Sequence, residues 1–206
     1  MISIRVGDCD VDILPIVNGL TSEEEKVRSA YGSYEAYAAA MSIEGIQAIK
    51  SRVQLNDDFE VSEFDIAYSK RMMSLTGEEI RIPSPAICVL VDLVASEGNN
   101  VIPLDMNDSE FTDMYCETVP ALDFVKEHKL AKKGMKKNFR STSPADFAVE
   151  WDEFINDGIK SYRKVSQNRE RYIARQIADV ARYRKSLLAV IEVERAEGVA
   201  AILRKT

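Results

Sequence analysis

The chain has 206 residues, 46% apolar and 30% charged, with a formal net charge of −7. This is the balance of an ordinary globular protein, and the length suits a single domain, 1–206. The longest apolar run, Ala86 to Ala95, is broken by Asp92 and falls far short of the roughly 20 residues of a spanning helix, so no membrane association is expected.

The opening "MISIRVGDCD" has no basic segment followed by an apolar run, which excludes a secretory leader and points to a cytoplasmic location. "MISIRV" alternates apolar and polar residues, the pattern of a strand with one buried face, and "GDCDVD" then interrupts it with glycine and acids. Ser22 with Glu25, and Thr21 with Glu24, form capping-box patterns that predict a helix from there to about Val53, with a break near Ser42. Tyr31, Tyr34 and Tyr37 would share a face of that helix, available to the core, to a crevice or to a homo-oligomer contact. Phe59 to Ala67, "FEVSEFDIA", reads as a second strand, followed by a short helix that Gly77 stops.

Ser84 as N-cap, Pro85 at the first helical position and Gly98 past the end bracket a helix. The chain then enters "NVIPL", a short strand whose Pro103 lacks a ladder donor and so belongs at a sheet edge or a strand end. Helices follow around Pro120, then "AKKGMKKNFR" reads as an exposed basic loop, and Ser143, Pro144 and Asp146 open a helix that ends at Gly158. A long helix from about Ser161 to Lys185 carries an apolar stripe through Tyr162, Val165, Tyr172, Ile173, Gln176/Ile177, Val180 and Tyr183, with Arg169 in its midst. The closing strand, Leu187 to Ile191, empties into Glu192, Glu194 and Arg195 before a last helix. Interleaved strands and helices predict an α/β fold: a mostly parallel sheet of about four or more strands with helices on both faces.

Ligands of such folds sit beyond the carboxyl ends of the strands. On this reading Asp8 and Asp10 follow the first strand, Glu63 and Asp65 lie in the second, Asp105 follows the third, and Glu192, Glu194 and Arg195 follow the last. They are expected to converge on one crevice, with Arg169 reaching in from its helix and pairing with Glu63 first, Glu192 or Glu194 next. Cys9, Cys88 and Cys116 are widely spaced and His128 is the single histidine, so a disulfide framework, a zinc centre and a bound cofactor are not expected. His128 itself reads as an exposed bystander.

In order and spacing the chain resembles the TraB/PrgY family, within the wider group of Tiki-type and erythromycin-esterase-like domains. The resemblance lies in "IRVGDCDVDILPIV", in "FEVSEFDIAYSKRMMSL" with Glu63 and Arg71, in "NNVIPLD", in "NRERYIARQIADV" with Arg169 and Glu170, and in "LLAVIEVERAEGVAAIL". It implies a hydrolytic ancestry. Where the family pattern carries histidines, however, this chain has Asp10 and Arg195, and glycines of its closing turn are replaced by Glu192 and Glu194. A guanidinium at 195 stays cationic and repels a metal ion, so loss of the reaction is expected.

The leading expectation is therefore a non-catalytic protein that binds a small polar ligand or a protein partner through residues 8, 10, 63, 71, 105, 169, 192, 194 and 195. The alternative is a hydrolase with a rebuilt site, in which Glu63 or Asp10 is the base and Arg169 and Arg195 stabilise negative charge. A third reading uses charge: residues 1–120 carry 8 basic against 22 acidic side chains, and residues 121–206 carry 19 against 12. Lys126, Lys129, Lys132, Lys133, Lys136, Lys137 and Arg140 would then bind nucleic acid, although only Phe139 interleaves with them as a stacking group.

Overall fold

The computed structural model describes residues 1–51 and 62–205. In chain order the elements are β1 (Ile2–Val6), β2 (Cys9–Ile16), α1 (Glu23–Ala30), β3 (Ala36–Ala39), α2 (Ile43–Lys50), α3 (Glu63–Thr76), α4 (Pro85–Ser96), β4 (Ile102–Pro103), α5 (Asp108–Thr118), α6 (Ala121–Lys136), α7 (Pro144–Gly158), α8 (Lys160–Ala181), β5 (Ser186–Glu192) and α9 (Val193–Leu203). The sheet order is β1-β2-β5-β3-β4. Strands β2, β5, β3 and β4 are parallel and β1 is antiparallel to β2, so the fold is α/β with a mixed sheet.

Central strand β5 is buried along its length because helices cover both its faces, which is why it reads as an unbroken apolar run. On one face Leu187, Ala189 and Ile191 join Val11, Ile13 and Ala38 against Ile173 and Ile177 of α8 and Val199 and Leu203 of α9. On the other, Leu188 and Val190 join Ile16 and Ala39 against Val27 of α1, Ile46 and Ile49 of α2 and Leu90 and Val94 of α4. A third apolar cluster lies beyond the end of β2, where Val17 and Leu20 meet Met72 of α3 and Phe147 and Trp151 of α7. It seats α7 beside α8 and α9 at the carboxyl end of the sheet.

Several expected elements are replaced. "GDCDVD" does not end the first strand's pairing. Gly7, at φ 58, begins a two-residue turn, and Cys9–Ile16 returns as β2 in a hairpin with Val6 opposite Cys9. The helix expected from Ser22 stops at Ala30, and Ala36–Ala39 is strand β3. Alanine favours helix in isolation, but its small side chain lets layers pack closely on both faces of an interior strand, and the tertiary setting prevails. Helix resumes as α2, where the break near Ser42 is a new N-cap; Val53 lies outside the described residues. Tyr31, Tyr34 and Tyr37 consequently share no helix face. Tyr37 is buried on β3 with the Tyr31 ring stacked on it at 4.7 Å, and Tyr34 donates to Asp12.

The expected strand at 59–67 is corrected too. Phe59 to Val61 lie outside the described residues, and Glu63 to Ala67 begin α3, because Ser62 and Asp65 close a capping box around the first turn. The basic "AKKGMKKNFR" is mostly the last turns of α6, with Gly134 packed beneath the Trp151 ring. The bracketed helix α4, the edge strand β4 with Pro103, and helix α7 follow the sequence expectation. Helix α8 ends at Ala181, short of Lys185, so Tyr183 lies past its end and is exposed rather than part of the buried stripe.

Candidate functional site

The topology opens a crevice at the carboxyl end of the sheet. The chain leaves β3 towards α2 on one face and leaves β5 towards α9 on the other, and diverging exits from adjacent parallel strands leave a gap between them. The gap has a volume of about 300 Å³ and is lined by Ala40, Met41 and Ser42 after β3, Asp105, Met106, Asp108 and Phe111 after β4, Glu192 at the end of β5, and Arg169 from α8.

Arg169 reaches the crevice because its neighbours on the α8 stripe, Ile173 and Ile177, are locked into the sheet core. Its Nε donates to Asp105 Oδ2 at 2.8 Å, and a second guanidinium N–H donates to the same oxygen. Glu192 Oε1 stands 3.8 Å from the guanidinium. Side-chain exposures are 20% for Arg169, 7% for Asp105 and 12% for Glu192, so the three are largely withdrawn from water. Burial opposes the charge on Arg169, but Glu192 and Asp105 outweigh it and raise its pKa further. Asp105 Oδ1 accepts the Met106 N–H, which fixes the carboxylate's orientation. Glu192 Oε2, in contrast, is buried without a hydrogen-bond partner among the described residues.

Behind the crevice the charge continues between α7, α8 and α9. Arg195 donates to Ser166 at 3.1 Å, and its Nε has no partner among the described residues. Burial raises the pKa of Asp152 and of Glu170, with Arg195 opposing in both cases. The Glu170 carboxyl lies against α9 at Gly198, where an added Cβ would come within 2.5 Å of Glu170 Cδ. Burial together with the adjacent Glu192 charge pushes the Glu194 carboxyl up to about 7, against the attraction of Arg195. Five carboxyl groups thus share two guanidinium groups, and a low-dielectric interior holds part of that acid surplus in its protonated form.

Of the residues expected at one crevice, Asp105, Arg169 and Glu192 meet there, and Glu194 and Arg195 stand directly behind it in the first turn of α9. The others do not. Asp8 and Asp10 are at the opposite end of the sheet: Asp10 is in register with Ser186, the first residue of β5, and Arg5 binds it across the hairpin. Glu63 is not the partner of Arg169, since α3 places it on the surface where His128 Nδ1 meets its carboxylate. Arg71, also on α3, donates to the Lys137 carbonyl. Sequence reasoning missed Met41, Asp108 and Phe111 in the crevice and Asp152 behind it, and named Glu170 only through the family resemblance. Gly198 was the available signal for the close approach of Glu170, because a glycine inside a helix costs stability unless something must approach its backbone closely.

Among the described residues no group of three or more His, Cys, Asp or Glu side chains is arranged to hold a metal ion, and no helix is long and apolar enough to cross a membrane. No family model, curated protein or solved structure matches the chain.

Proposed function

We propose that this protein is a non-catalytic binding module that holds a small ammonium-bearing ligand in the crevice at the ends of β3, β4 and β5. The observation that carries the reading is the second oxygen of Glu192, buried and partnerless at a cavity lined by three carboxylates and one guanidinium. Arg169 neutralises part of that negative charge and orients Asp105. It leaves an acceptor at Glu192 and a nearby charge at Asp108 for a cationic guest. Phe111, stacked on Tyr115 at 5.6 Å, adds an aromatic wall, and Met41 and Met106 add apolar surface for the ligand's carbon skeleton. The Ser42 hydroxyl serves as the N-cap of α2, accepting the Gly45 N–H, and among the described residues no histidine stands in the lining beside it.

Kinship with TraB/PrgY-like proteins belongs to the same proposal. It is supported by three of the resembling segments, those containing Asp105, Arg169 and Glu192, which come together at one place; the segments with Asp10 and Glu63 lie elsewhere. Titration calorimetry with butylamine and 1,4-diaminobutane, against 1-butanol as the uncharged control, tests the reading. Saturable binding of the amines alone, weakened by salt and lost in Glu192→Gln, is expected. Equal heats for amine and alcohol would overturn it.

A second reading, a hydrolase with a rebuilt carboxylate and arginine site, is favoured by one observation. Glu194, held near neutrality beside Glu192, resembles the acid half of a carboxyl pair. It ranks below binding because Glu194 does not line the crevice. Nucleic-acid binding ranks last, since Lys126 is tied to Asp123 and Lys137 lies over the Phe139 and Phe154 rings.

A further inference from the structure

A second cavity, of about 280 Å³, lies on the other side of Met41, which lines both spaces. Helices α2, α3 and α4 all present N-terminal turns to it: Gly45 is the third residue of α2, Asp65 the third of α3, and Ser84 the N-cap of α4. The first two ends are closed internally. Ser42 accepts the Gly45 N–H, and Asp65 Oδ2 accepts from both the N–H and the hydroxyl of Ser62.

The α4 end is not closed by its cap residue. Ser84 makes no side-chain cap bond; it is only 5% exposed, and its Oγ has no hydrogen-bond partner among the described residues. A buried hydroxyl without a partner costs stability, and a helix N-terminus carries positive potential, so both features ask for an acceptor at the same spot. Arg81, exposed at the rim, forms no ion pair among the described residues. The wall is otherwise mainly apolar, with the Tyr68 ring and Ile80 facing the space. The segment bearing Arg81 is held in place: Arg81 N–H donates to the Gly19 carbonyl at 2.9 Å, and Gly19, at φ 89, leaves room where a Cβ would strike Ile80.

We propose that this cavity is a second ligand site, built for a small carboxylate on an aromatic or branched apolar body. The carboxylate would accept from Ser84 Oγ at the α4 N-terminus and face Arg81, with the apolar body against Tyr68 and Ile80. Asp65, the one acid in the lining among the described residues, has its Oδ2 engaged by the N–H and hydroxyl of Ser62. The site does not depend on the amine reading of the neighbouring crevice.

Benzoate titrated into the full chain, followed by calorimetry and by NMR shift changes, tests the proposal, with benzamide as the uncharged control of the same shape. Saturable benzoate binding is expected, with at least tenfold weaker binding of benzamide. Ser84→Ala should weaken benzoate at least fivefold while leaving the melting temperature equal or slightly higher, because it removes a hydroxyl that caps nothing. Arg81→Gln should weaken benzoate and flatten its salt dependence. In Glu192→Gln, benzoate binding should be unchanged, which separates this site from the crevice. Benzoate binding that is absent, matched by benzamide, or unaltered in both Ser84→Ala and Arg81→Gln would overturn the proposal.

Discussion

The two ends of the sheet carry similar chemistry and differ in what surrounds it. At the hairpin end Arg5 meets Asp10, with Asp8 at the edge of reach, and the Arg5 and Asp10 side chains are 57% and 70% exposed. At the carboxyl end Arg169 meets Asp105 and Glu192 with little exposure of any of the three. Water screens the first pair, so its contribution is small whatever its geometry. The second group has lost its solvation, so each charge depends on its partners and on whatever fills the crevice. Acid and arginine composition alone does not mark a site. Strand direction and burial separate a water-screened surface ion pair from a buried constellation at a crevice.

The largest effect expected from breaking this contrast is at Arg169. Arg169→Ala orphans two buried carboxylates and should lower the stability to denaturant by about 3–5 kcal/mol. A double-mutant cycle of Arg169→Ala with Asp105→Asn should show strong coupling, and additive effects would show that the pair does not act as one unit.

Next comes pH. The Glu194 carboxyl is raised from 4.5 to about 7 in the folded protein, so between those values the folded state binds more protons than the unfolded chain. Stability from this group is therefore greatest at low pH, and it falls as pH rises from 4.5 through about 7. Glu194→Gln should remove that slope and stabilise the protein at pH 8 by up to about 3 kcal/mol, read as the difference between wild-type and variant melting curves. The comparison must be made as a difference, because Asp152 and Glu170, also raised by burial, contribute a slope of the same sign.

Gly198→Ala forces only the flexible carboxyl end of Glu170 to swing aside, and the helix propensity gained by alanine offsets part of that, so the cost should be no more than about 1 kcal/mol. Glu170→Ala in the same chain should restore most of the loss, and failure of that rescue would show that Gly198 serves some other purpose. The smallest effect is expected at the other end of the sheet. Arg5→Ala should leave the denaturation midpoint nearly unchanged, and what change there is should shrink in high salt. A loss at Arg5 comparable with that at Arg169 would dissolve the distinction between the two ends.

Helix α4 was legible because its signals are local: Ser84, Pro85 and Gly98 act through backbone conformation within one turn, and Gly98 takes the left-handed φ of 75 that ends the helix. Strand β5 and the buried side of α8 were legible because a continuous apolar run and a 3.6-residue stripe each report burial directly. From these the sequence by itself determined an α/β chain with an arginine carried into its interior and acids at the end of its last strand. The partners of that arginine were decided only in three dimensions. Asp105 and Glu192 reach Arg169 because β3, Ala36–Ala39, lies between β4 and β5 in the sheet, an insertion that its alanines do not announce. Asp10 and Glu63 are displaced because a hairpin turn at Gly7 reverses the chain and a capping box at Ser62 coils it. Which end of a sheet an acid occupies depends on strand pairing and direction, and those arise from contacts between residues far apart in the chain.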